Sequence, residues 1–218
     1  MMKKILTILF SLFFIVVHTQ NNSEAELLLN TVSSNIKNYD NIYINYTYTL
    51  NNIEEDISQT NRGSFVTENN KWRFEMLGIT RIFDGKKLYS ISPDDEEVTI
   101  SSINPEDETT ITPNKILYFY EEGYIFEMGS HEFVGNGQFR KKIQYIKLIP
   151  KDSESEIKFI SLGIDTEFDQ IYEVIETGKN GTVTRFSIVD FEFNLSLDED
   201  LFIVDKQKYE DYYMNILD

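Results

Sequence analysis

Apolar and polar side chains alternate through most of this chain, most clearly between Gly63 and Pro93. There Trp72, Phe74 and Met76 fall on one face of an extended segment and Lys71, Arg73 and Glu75 on the other, because strand side chains alternate with period two. Asp84-Gly85 supplies a tight turn, and the extended pattern resumes from Leu88 to Ile91. The stretch predicts consecutive antiparallel strands with one apolar side. Upstream, Ile42, Ile44, Tyr46, Tyr48 and Leu50 alternate with Tyr43, Asn45, Thr47 and Thr49, which predicts a long first strand. Asn51 to Arg62 is polar and reads as a connecting loop. Beyond Pro93, the acidic run Asp94 to Glu97 makes a turn into another strand, VTISSI. That run lacks the Asp-x-Asx-x-Asx-Gly spacing of a calcium loop.

Two segments carry helical spacing instead. Ser23 followed by Glu26 forms a capping box, and Ala25, Leu28, Leu29, Val32 and Ile36 give the helix through about Lys37 one apolar face. Thr112-Pro113 begins a second helix that stops near Gly123, with a capping hydroxyl and a proline at its first position. Its apolar residues cover more than half of its circumference. From Gly129 onward the strand pattern returns, through SHEFVGNG, QFRKKIQYIKLIP, EIKFISLGID, QIYEVIETG, TVTRFSIVDFEFN and DLFIVD. Asn180-Gly181 is a strong hairpin signal of the type I′ kind, which needs positive φ at both central residues. The tail from Asp205 is charged and adds a strand or a helix or stays mobile. Many strands with short turns and only two helices predict a mainly β chain: one strongly curved antiparallel sheet, or open barrel, with helices at its mouth.

Composition narrows the setting. Lys3 and Lys4, the apolar run from Ile5 to Val17 and the polar exit at His18 to Gln20 form a secretory signal peptide over residues 1–20, shorter than a membrane span. The remainder, 21–218, is expected to form a single exported domain. Without those two lysines, 18 basic residues face 37 acidic ones, a net charge of about −19, which disfavours nucleic acid and anionic lipid surfaces. The chain has no cysteine, so it carries neither a disulfide nor a thiol-linked lipid. After the signal peptide His131 is the sole histidine, and no G-x-S-x-G elbow or phosphate-cradling glycine loop occurs. No enzyme, metal or cofactor is expected. A pair of acids could still serve glycoside hydrolysis, as 37 acids will bring some pair within range by chance.

The order of these segments resembles the LolA family of outer-membrane lipoprotein carrier proteins. The resemblance runs through the helix at Ser23, the strand Ile42 to Leu50, the Gly63 strand, Trp72-x-Phe74, Asp84-Gly85-Lys86-x-Leu88-Tyr89 and Pro93. It continues in Pro113-x-x-Ile116-Leu117, the strand Tyr145 to Lys151 ending in Pro-Lys, Asn180-Gly181-Thr182-x-Thr184-x-Phe186, Phe191-x-Phe193-Asn194 and Asp198-x-x-Leu201-Phe202. It implies an incomplete, half-open β-barrel with α-helices as a lid over an apolar cavity. It also implies a monomeric periplasmic carrier that takes lipid-modified proteins from an inner-membrane lipoprotein-releasing transporter to an outer-membrane acceptor. The alternatives are an envelope sensor or interaction module on the same fold, and a free-lipid shuttle.

Faces of the predicted elements nominate the site. The acyl-binding surface is assigned to Ile44, Tyr46 and Tyr48 of the first strand, Phe65, Trp72, Phe74 and Leu88 of the central hairpins, and Tyr145 and Phe186 further on. The lid is assigned to Ile116, Leu117, Phe119 and Tyr120. In the family an Arg-Pro pair occupies the turn after the Gly63-type strand, where the arginine holds the lid closed. Here that turn reads Glu68-Asn69-Asn70, and Arg73 is expected on the face opposite Trp72 and Phe74.

Overall fold

The computed structural model describes residues 22–102, 112–137 and 140–217. The expected signal peptide lies outside them. The described chain is mainly β: helix α1 spans 22–37, and one sheet holds twelve strands. In chain order these are β1 (Asn41–Asn52), β2 (Ile57–Glu68), β3 (Lys71–Met76), β4 (Ile79–Phe83), β5 (Leu88–Ser92) and β6 (Glu97–Ser101). Helix α2 (Pro113–Tyr118) follows, then β7 (Tyr124–Val134), β8 (Lys141–Pro150), β9 (Ile157–Asp165), β10 (Gln170–Gly178), β11 (Val183–Phe193) and β12 (Tyr213–Leu217). The strand order is β12-β6-β5-β4-β3-β2-β1-β11-β10-β9-β8-β7, with β12 at one end and β7 at the other. This is the open, unclosed sheet that the alternation predicts. One pair departs from the antiparallel expectation, because β12 runs parallel to β6.

The chain divides into two compact units, 22–36 with 120–183 and 37–119 with 184–218. In the first, β8 carries Ile146 and Leu148 and β9 carries Ile160 and Leu162 on one face, at 0 to 2% exposure. Helix α1 buries Ala25, Leu29, Val32 and Ile36, the stripe that its spacing of three and four requires. The hydroxyl of Ser33 donates to the carboxylate of Glu121, tying α1 to the segment before β7.

In the second unit the pairing register sorts two faces. Phe65 lies opposite Ile44 on β1 and Phe74 on β3, so these three share a face. Val66 lies opposite Tyr43 and Arg73 on the other. The Val66 face continues through Ile82, Ile91 and Val98 into a buried cluster with Phe202, against which Leu197, Leu201, Val204 and Met214 pack. The C-terminal segment thus covers this face.

Several local expectations are corrected. Helix α1 already includes Asn22, one residue ahead of Ser23. The polar stretch from Asn51 to Arg62 is mostly strand. The β1–β2 pairing extends to Asn52 and Ile57, with Ser58 donating to Asn51 at 2.8 Å. Residues 57–60 of β2 are exposed on both faces, so this end of the hairpin carries no apolar alternation to read. Helix α2 is only six residues long, capped by the Thr112 hydroxyl, which accepts from the Lys115 amide at 3.3 Å. Strand β7 accordingly begins at Tyr124, five residues earlier than the pattern suggested.

The DLFIVD segment is not a strand. Turns close from Leu201 to Asp198 and from Ile203 to Asp200, and Leu201, Phe202 and Val204 serve the Val66-face core while Ile203 is exposed. The β10–β11 hairpin forms, but Gly178 donates to Thr182 at 2.8 Å around a three-residue loop in which Gly181 has positive φ and Asn180 does not. That is a type I turn followed by a left-handed glycine, the other common hairpin solution.

Gly63 is set by a close approach. The Tyr46 ring lies across it and the Tyr46 hydroxyl donates to the Glu75 carbonyl at 3.3 Å, so a Cβ at Gly63 would collide with both. Gly63→Ala is expected to cost about 1–3 kcal/mol by overpacking; an unchanged urea midpoint would show that the Tyr46 ring is not held there.

Candidate functional site

The Phe65 face is the longest run of large side chains in the second unit. Ile44, Phe65 and Phe74 follow one another across β1, β2 and β3, and all are buried. A second row passes from Thr67 to Trp72 to Phe83 to Leu88. A third passes from Tyr46 across Gly63 to Met76 and Ile79. Phe186 of β11 stacks on the Tyr46 ring at 4.4 Å, and Tyr46 in turn lies 6.0 Å from Phe74. Trp72 and Phe83 rings are 6.0 Å apart. Exposure grades outward, from buried Ile44 and Phe65 to half-buried Phe83 and Leu88.

Of the residues nominated for acyl binding, Ile44, Tyr46, Phe65, Trp72, Phe74, Leu88 and Phe186 come together on this face. Tyr48 shares it at the margin, half-buried opposite Asn61. Tyr145 does not join them. It lies in the other unit, opposite Gly163, on the face of β8 that points away from Ile146 and Leu148. Its hydroxyl proton sits between Glu132 Oε1 at 2.5 Å and Glu173 Oε1 at 2.6 Å. Among the lid residues, Leu117 and Tyr120 are buried and Ile116 and Phe119 half-buried; α2 lies against β2.

Arg73 behaves as its position predicts. It pairs with Glu75, Nε to Oε1 at 2.8 Å, on the Val66 face. In the turn before it, Asn69 adopts positive φ. His131 is exposed on β7, edge-on to Phe133 at 5.8 Å. Three residues of the Phe65 face escaped the sequence reading: Ile79, Arg81 and Phe83. The signal was present in ITRIF, whose alternation groups those three, but the face on which they fall depends on the Leu77-Gly78 turn, where both residues have positive φ.

Electrostatics follow burial. Desolvation raises the Tyr46 hydroxyl far above the ordinary tyrosine range. Tyr145 is raised as strongly, first by desolvation and then by its two glutamate neighbours. In the first unit Glu176, opposite Ile160, is raised by desolvation, and Tyr124 by burial and then by Glu176.

No protein-family model and no curated protein sequence matches the chain. Solved structures do. An uncharacterised conserved protein from Thermus thermophilus aligns over 89% of this chain and 99% of its own, with 11% identity and a TM-score of 0.54. A domain described as an outer membrane lipoprotein-sorting protein, from Vibrio parahaemolyticus, aligns over 87% and 100% with 12% identity and a TM-score of 0.46. A LolA superfamily protein from Nitrosomonas europaea aligns over 84% and 98% with 11% identity and a TM-score of 0.42. At these identities the likeness concerns the fold alone.

Tyrosines with raised pKa stay neutral in the folded chain while those of the unfolded chain ionise near pH 10. Their contribution is therefore intact below about pH 10 and lost as pH rises toward the folded values. The urea midpoint is expected to hold from pH 7 to 9 and to fall above about 10, less steeply in Tyr46→Phe. An equal alkaline slope in wild type and variant would contradict the burial of the Tyr46 hydroxyl.

Proposed function

We propose that this protein is a periplasmic carrier that shelters the acyl chains of lipid-modified proteins on its Phe65 face. By resemblance, it receives them from an inner-membrane transporter and delivers them to an outer-membrane acceptor. The observation that supports this reading most is the Phe65 face itself, with aromatic and aliphatic side chains continuous across β1 to β5. An ordinary core needs such a face only on one side of a sheet, and here the Val66 face already supplies a core. The protein works as a single exported domain and a monomer, without catalysis or cofactor.

Burying acyl chain is worth roughly 0.8 kcal/mol per methylene, so one chain of about fifteen methylenes gains roughly 12 kcal/mol if fully enclosed. Three such chains at full value would not be released. Closure must therefore compete with cargo, and α2 is the competitor: Leu117, with Ile116, Phe119 and Tyr120, occupies apolar surface that cargo would take.

The direct test is mass spectrometry of the protein purified from its native envelope. Co-purifying lipidated proteins are expected. Free lipid alone would favour a lipid shuttle, and a stoichiometric protein partner without lipid would favour an envelope sensor. Leu117→Ser weakens the closed state, so it is expected to tighten binding of a triacylated lipopeptide by about tenfold, since truncating a buried leucine costs more than 1.4 kcal/mol. Unchanged affinity in a fluorescence titration would count against α2 as the competing lid.

A further inference from the structure

The Phe65 face carries one cation. On β4, Arg81 lies directly opposite Phe74 of β3 and Ser90 of β5. Cross-strand partners share a face at roughly 5 Å between Cβ atoms. On its own strand, Arg81 falls between Ile79 and Phe83, which also belong to this face. The row therefore reads Ile44, Phe65, Phe74, then Arg81, then Ser90 and Thr99: buried and apolar at one end, hydroxyl-bearing at the other.

Arg81 is half-buried, and among the described residues neither the Arg81 nor the Ser90 side chain has an ion-pair or hydrogen-bond partner. The acid nearest in sequence on β3, Glu75, is on the opposite face and occupied by Arg73. The acid on the same face is Glu97, two strands away on β6, and its Oε1 already accepts from Thr99 at 2.7 Å and Asn215 at 3.2 Å. A guanidinium cannot shed its proton and presents a planar fork that matches an oxyanion.

We propose that Arg81, with Ser90 beside it, is a headgroup subsite for an anionic diacyl phospholipid whose chains lie on the Phe65 face. The inference rests on that face being an acyl-binding surface. The phosphate is the group that the free guanidinium and hydroxyl complement. Two chains, not one, suit the site, because apolar rows flank Arg81 on both sides: Trp72, Phe83 and Leu88 on one, Met76 and Ile79 on the other.

The test compares lipids of identical chains. The full-length protein is titrated with fluorescent phosphatidylglycerol and with the matching diacylglycerol, and each is repeated with Arg81→Gln and Arg81→Lys, all shown by circular dichroism to retain wild-type strand content. Wild type is expected to prefer phosphatidylglycerol by about tenfold; Arg81→Gln abolishes the preference by weakening phosphatidylglycerol alone, and Arg81→Lys retains part of it. Equal binding of both lipids by wild type, with no effect of Arg81→Gln, overturns the headgroup subsite and leaves the acyl-binding face standing. If neither lipid binds, both the headgroup subsite and the acyl-binding face are overturned. Arg81-dependent binding of palmitate with none of phosphatidylglycerol overturns the diacyl assignment.

Discussion

Strands β2, β4 and β5 carry large apolar side chains on both faces, so this part of the sheet has to be covered twice. The register decides which residues go where: Phe65 faces with Ile44 and Phe74, and Val66 with Tyr43, Ile82 and Ile91. A slip of one residue would exchange the two sets throughout. The C-terminal chain resolves one side. After β11 it passes through turns that seat Phe202 among Val66, Ile82, Ile91 and Val98, and it ends as β12, paired parallel to β6. With that face closed by the C-terminal chain, it is the outer part of the Phe65 face, at Ile79, Phe83 and Leu88, that remains half-buried.

Tyr46 and Gly63 hold that face in place. The tyrosine ring needs the space that a Cβ would take, and its hydroxyl reaches the Glu75 carbonyl across β3. Phe186 then stacks on the same ring from β11. One tyrosine thus joins four strands, β11, β1, β2 and β3, on the side where the apolar rows are densest. Its neutral hydroxyl suits this position, since ionisation would place a charge among aromatic rings.

Much of this was legible in the alternation. The faces of β1 and β3 and the grouping of Ile44, Tyr46, Phe65, Trp72 and Phe74 follow from period two once a strand is granted. What was not legible depended on partners. Tyr145 alternates correctly within its strand, yet the side of β8 that becomes apolar is fixed by β9, where Leu162 and Ile160 meet Ile146 and Leu148 while Gly163 meets Tyr145. The DLFIVD segment has strand composition because it packs on a sheet, without pairing in one. The polar end of the β1–β2 hairpin failed for the converse reason: its ladder is backbone, and backbone leaves no pattern in the sequence.

Two ionisable groups on apolar strand faces show how differently such positions are tolerated. Glu176, opposite Ile160 in the first unit, has its pKa raised by desolvation. Enclosing the Arg81 guanidinium without a partner costs several kcal/mol. It must therefore keep contact with water or meet an anion. Its half-buried position beside Ser90 permits either. Cargo that covered Phe83, Leu88 and Ile79 without bringing an oxyanion would strip water from the charge and weaken its own binding. Under the proposed reading, acyl ligands on this face would be discriminated by the group that stands at their end.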